Sequence, residues 1–219
     1  MRNHWFAVSI LTALSTGTVF GQNMRHPADG EPPAGCGTFR YERNRVGPMD
    51  YRISPQDWKD IVENVHFTPD VESLRRGKSG TIGGDIAYTL NAFPNHYRAL
   101  RSAAEYERRH GVGGAREMGH STVCWFERAV AFRNSDATVR ILYASELLRR
   151  GNKRDAAAHL AVAEEHGAGN TAVAYNLGLL YFDLDDHERS LRYAKEAYAG
   201  GMTLPGLRDK LMRAGKWQD

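Results

Sequence analysis

The feature that most constrains this chain is a period of 34 residues in its carboxy-terminal half. With residues 137–170 set above 171–204, the small and apolar positions coincide. Tyr143-Ala144 falls on Leu177-Gly178, Leu147 on Tyr181, and the turn Gly151-Asn152 on Asp185-Asp186. Ala156 then falls on Ser190, Leu160 on Ala194 and Ala163 on Ala197. A period of this length, with helical spacing inside each copy, predicts pairs of helices that bury one face against the next pair. Small residues at matched places let such pairs approach closely.

The pattern resembles the tetratricopeptide repeat, most closely in the second copy, where Asn176-Leu177-Gly178-Leu179-Leu180-Tyr181-Phe182 is followed by Leu184-Asp185-Asp186-His187-Glu188-Arg189-Ser190-Leu191. The first copy departs from the family at Arg140, where a large apolar residue is usual. Neither copy ends in the usual proline, although Pro205 lies just beyond the second. A degenerate unit over 96–136, interrupted by a glycine-rich insertion at 111–119, precedes the two copies, and 205–219 reads as the terminal helix and tail that keep the last apolar face from solvent. The expected fold is therefore all-α: a short solenoid of two clear repeats, one degenerate repeat and a terminal helix, behind an irregular, mostly helical amino-terminal cap. The resemblance implies a concave face, built from the first helix of each pair, that holds a protein or peptide partner. On the matching positions that face carries Thr138, Ile141, Ser145, Leu148 and Arg149, then Ala172, Tyr175, Asn176, Leu179, Phe182 and Asp183. Relatives that clamp a carboxylate use an asparagine at the Asn176 place with basic residues on neighbouring helices; the preceding copy has Leu142 there instead.

The amino-terminal half is organised differently. Residues 1–21 have the zones of an export signal: Arg2, an apolar run over 5–14, and a small or polar stretch ending Val19-Phe20-Gly21. Residues 22–35 are polar and rich in Pro and Gly, the composition of a flexible leader. Residues 36–95 form the irregular cap. Within it Ser54-Pro55 and Thr68-Pro69 read as helix starts, predicting helices over 55–65 and 69–76. A third is expected over 85–92, a longer one capped by Asn95, and another over 121–132. The runs Cys36-Gly37, Gly47-Pro48-Met49-Asp50-Tyr51, His66-Phe67-Thr68-Pro69 and Phe93-Pro94-Asn95-His96 look similar to the cap of exported bacterial proteins that join such a segment to tetratricopeptide repeats. That likeness implies architecture and a periplasmic or secreted location without supplying a mechanism.

Chemistry-bearing residues are sparse. Cys36 and Cys124 are the only cysteines, and in an exported chain they are candidates for one disulfide. None of the nine histidines lies three or four residues from another, the spacing of paired ligands on one helix. A metal site in the cap would draw on His66, His96 and His120. Gly77-Lys78-Ser79 lacks the earlier glycine of a phosphate loop, since Glu72 stands there, and reads as a surface turn. No nucleophile sits in a signature context with a supporting base, so neither catalysis nor a cofactor is expected. With 29 basic and 26 acidic residues the net charge is +3, which argues against nucleic acid as partner. Arg75-Arg76, Arg108-Arg109 and Arg149-Arg150 read as solvated helix faces. The chain is expected to bind a protein or peptide without stable membrane insertion; the alternative is a metal or small ligand held in the cap.

Overall fold

The computed structural model describes residues 26–39 and 46–217; the expected signal segment lies outside them. Among the described residues there are ten helices and no strand. In chain order they are α1 Gln56–His66, α2 Pro69–Glu72, α3 Ile82–Ala92, α4 Tyr97–Glu117, α5 Thr122–Phe132, α6 Ala137–Arg149, α7 Lys153–His166, α8 Thr171–Asp183, α9 His187–Ala199 and α10 Gly206–Arg213. None is long and apolar enough to cross a membrane.

The 34-residue period is visible in the backbone. α6 and α8 begin at 137 and 171, and α7 and α9 at 153 and 187. The caps repeat too: the Asp136 carboxylate accepts from the N–H groups of Thr138 and Val139, and the Asn170 amide oxygen from those of Ala172 and Val173. Asn152 and Asp186 do the same for α7 and α9. Each side chain satisfies donors that a helix start leaves orphaned. Between the paired helices the chain turns through the left-handed region. Gly151 (φ 81°) takes that place in the first copy and Asp185 (φ 65°) in the second, aspartate being among the few side chains that tolerate it. Where α8 crosses α9 and α10 there is no room for a side chain: a Cβ on Gly178 would lie 2.5 Å from Leu207 and 3.3 Å from the Ser190 carbonyl.

One apolar core runs from Phe67 and Val71 through α3, α4, α5, α6 and α7 to Tyr181 on α8. A second gathers Tyr175, Ala194, Leu207 and Leu211 where α10 lies on α8 and α9. A third, smaller one joins Met49 and Val62 to Ala92 and Phe93.

Several local expectations are corrected. Ser54 does not cap α1; its hydroxyl donates to the Asp50 carbonyl at 2.7 Å, and Pro55 takes the cap position. Thr68 makes no capping bond either, and α2 ends at Glu72 rather than near 76. α4 is capped by His96, because the Asn95 side chain is engaged by buried carboxylates. The glycine-rich stretch is largely helical. Gly111 (φ 57°, ψ −138°) kinks α4, and the turn beyond it folds back so that Glu117 accepts from the Gly83 N–H and the Tyr106 hydroxyl, both at 2.8 Å.

Residues 26–35, expected to belong to a flexible leader, lie against α5. The N–H groups of Asp29 and Gly30 bond to the carbonyls of Phe132 and Ala131 at 3.2 and 2.9 Å. Cys36 and Cys124 form a disulfide, and Arg128 Nη1 donates to the carbonyls of Cys36 and Thr38. A segment too polar to bury itself is ordered here because carbonyls of another element, a buried arginine and a covalent staple receive it.

Candidate functional site

An open cleft of about 520 Å³ lies between α4 and α6, floored by α5 and closed at one end by the residues that end α2. Helical spacing explains which side chains face it. Arg98, Arg101, Glu105 and Arg108 recur at intervals of three and four along α4, as do Leu142, Ser145, Glu146 and Arg149 along α6, so each set forms one stripe. Phe126, Leu142, Ala104 and Leu74 supply an apolar floor. Leu74 is itself unusual, holding φ at 59°. A branched side chain enters that region at a cost of about 1–2 kcal/mol. It is kept there by the bonds from Leu74 N to the Val71 carbonyl and from Arg75 N to the Asp70 carbonyl, which close the end of α2, while the Ser102 hydroxyl ties the Glu72 carbonyl to α4.

The walls are charged. Five arginines (98, 101, 108, 109 and 149) face three glutamates (72, 105 and 146), a surplus of two positive charges. Arg108 and Arg109 share the single carboxylate of Glu105, which they hold far below the usual carboxylate range. Glu146 is likewise shared by Arg149 and Arg150. Arg98 bonds Glu63 at 2.8 Å and approaches Glu72 at 3.7 Å. The guanidinium of Arg101 has no hydrogen bond or ion pair among the described residues, although it is exposed in the cleft. Among the described residues that line the cleft there is no histidine, cysteine, lysine or tyrosine; its polar groups are arginines, glutamates and the serines 73, 102 and 145.

The separation of the two walls is set at both ends. At one end the buried Asn95 amide donates to Asp50 at 2.8 Å and to Asp136 at 3.1 Å, joining the start of α4 to the cap of α6. Tyr97 adds a hydroxyl bond to Asp136 at 3.0 Å. Burial pushes the Asp50 carboxyl up, but hydrogen bonds from Arg52, Asn95 and Arg133 outweigh it and hold it well below the carboxylate range. At the other end Arg150 bonds Glu107 on α4 at 2.9 Å. Burial again raises Glu107, and the bonds from Arg150 and Thr122 prevail and lower it.

Of the residues expected on the concave face, only Ser145 and Arg149 line this cleft. Ile141 is buried in the main core. Tyr175 is buried under α10, edge-on to Tyr198 at 6.5 Å. Leu179 and Phe182 are half-buried against the same cluster, Lys210 lies over the Phe182 ring at 4.7 Å, and Lys210 also pairs with Asp183. Asn176 is exposed and bonds back to the Ala172 carbonyl, while Leu148 packs beside the main core. Of the two aromatic residues expected on that face, Tyr175 is therefore covered and Phe182 half-covered by α10. Leu207 and Leu211 of α10 need an apolar surface, and the α8 face provides it.

The three histidines expected as metal candidates are engaged separately. His66 Nδ1 lies 2.9 Å from Asp85 and its ring stacks on Tyr88; His96 is buried against Glu63; His120 sits edge-on to Trp125 beside Gly37. Among the described residues no group of three or more His, Cys, Asp or Glu is placed to hold a metal ion. The Gly77-Lys78-Ser79 turn is clipped by Asp85, which accepts from the N–H groups of Lys78 and Ser79. Sequence reading missed the α4 wall. Its signal was the spacing of Arg98, Arg101 and Arg108, which is also the spacing of an ordinary solvated face. No protein family, no curated protein and no solved structure matches the chain.

Proposed function

We propose that this protein is a non-catalytic scaffold that holds an extended segment of a protein or peptide partner in the α4–α6 cleft. The paired helices α6–α7 and α8–α9 are read as tetratricopeptide-type units, on the strength of their 34-residue register, repeated caps and small residues at the crossings. The single observation that carries the reading is the cleft itself: an open groove with an apolar floor, polar walls and a width held at both ends. Its volume falls within the ~300–1,000 Å³ usual for ligand sites. The disulfide and the lack of a membrane-crossing helix among the described residues fit a protein that works in an oxidising compartment outside the cytoplasm.

A photo-reactive phenylalanine derivative placed at Ser145, in the native cell, tests it. One partner, crosslinked through one mapped segment, is expected there and not from the same probe at exposed Glu165 on α7. Equal labelling from both sites removes the cleft reading.

A further inference from the structure

We infer that the segment taken by this cleft is an acidic peptide with an apolar side chain between its carboxylates. This rests on the reading of the cleft as a binding site and adds the chemistry of its ligand.

The walls carry more guanidinium than the protein's own carboxylates satisfy. Arg108 and Arg109 divide one glutamate, Arg149 shares Glu146 with Arg150, which also holds Glu107, and Arg101 has no partner among the described residues. The pairs made by Arg108, Arg109 and Arg149 are within one helix, at i,i+3 or i,i+4 spacing, and about half of each of these three side chains is exposed. The pairs with Glu105 are surface pairs and individually weak, so rotating Arg108 or Arg109 toward an incoming carboxylate costs little, while buried Glu146 keeps Arg150 when Arg149 turns. The planar fork then gives that carboxylate a two-pronged bond. The two stripes bring this surplus from opposite sides: Arg101 and Arg108 on α4, Arg149 on α6. A peptide laid between them would meet positive charge on both flanks.

The floor selects against other polyanions. Leu74, Ala104 and Leu142 suit an aliphatic side chain. Phe126, the one aromatic residue lining the cleft, is 1% exposed, so it has no free ring face on which a nucleic-acid base would stack.

Fluorescence anisotropy on the purified protein, with its disulfide intact, tests the inference. The probe is a fluorescein-labelled hexapeptide alternating glutamate and leucine; its glutamine counterpart and a short oligothymidylate are the comparisons. The acidic peptide is expected to bind, more weakly as salt is raised, and to lose about tenfold in affinity with Arg101→Ala. Arg101→Glu is expected to abolish that binding and to admit a lysine–leucine peptide. Arg101 is exposed and has no partner among the described residues, so both variants should melt as the parent does. No binding of the acidic peptide, equal binding of the glutamine peptide, or indifference to Arg101→Glu each overturns the inference. So does tighter binding of the oligothymidylate. The two levels separate through the Ser145 crosslink: a mapped partner segment without acidic residues sinks the acidic-peptide inference and leaves the cleft standing, whereas equal labelling from Glu165 sinks both.

Discussion

The imidazole of His96 donates from Nε2 to the carboxylate of Glu63, 3.1 Å away, while its Nδ1 accepts the Ala99 N–H at the start of α4. That double role requires the neutral ring with its proton on Nε2. Burial lowers the His96 pKa, more than Glu63 raises it. His159 is pushed down to about 4 by burial and by Arg140.

Both histidines therefore bind protons more readily unfolded than folded. Below their ordinary value of 6.5 the unfolded chain gains protons first, so stability falls with pH through the window from 6.5 toward the folded values. Glu63, held low chiefly by His96, is lost in the same direction, from 4.5 down. The Tm should drop by about 5 °C between pH 7 and pH 5. His159→Gln, which cannot titrate, should flatten that profile; a parallel profile in this variant would remove His159 from the account.

Asn95 bridges two buried carboxylates and accepts from the Tyr51 N–H at 2.9 Å. Asn95→Ala leaves Asp50, Asp136 and that N–H each short of a partner, which should cost about 2–4 kcal/mol in chemical denaturation. Asn95→Asp should be worse, since it adds a third carboxylate. An Asn95→Ala loss below that of an ordinary surface substitution would contradict the placement.

The disulfide spans 88 residues. On the chain-entropy account a loop of that length stabilises by about 4.6 kcal/mol. Replacing Cys36 and Cys124 together with serine, or adding reductant, should lower the Tm. It should also open the 26–39 segment to proteases, while far-UV circular dichroism stays helical. Unchanged melting in the reduced protein would place the anchoring in the Phe132 and Arg128 contacts instead.

At the α8–α9 crossing, Gly178→Leu would press on Leu207 and the Ser190 carbonyl. Overpacking of this kind costs about 1–3 kcal/mol. Because Leu207 belongs to α10, the loss should be partly recovered by Leu207→Ala in the same chain. Simple additivity of the two losses would show that the strain lies elsewhere.

Helix boundaries in the repeat region were legible because they depend on neighbours in sequence. Asp136, Asn152, Asn170 and Asp186 cap helices that begin immediately after them, and Gly151 and Asp185 mark the turns between. In the cap the same logic failed at Ser54, Thr68 and Asn95. Each of these side chains was a plausible local cap. Ser54 and Asn95 instead serve a buried polar network assembled from residues more than forty positions apart in places.

Sequence alone settled the helical class and the 34-residue register, and it left Cys36 and Cys124 as candidates for a bridge that the structure then forms. These follow from periodicity, short-range hydrogen bonding and composition. Only the tertiary structure decided which faces stay open. α10 covers the α8 face because Leu207 and Leu211 must leave water, so Tyr175 is unavailable although its position in the repeat is right. Arg101 and Arg149, 48 residues apart in the chain, meet across one cleft because Asn95 and Arg150 fix how far α4 stands from α6. Distances of that kind arise from long-range packing, to which a local pattern of charges is blind.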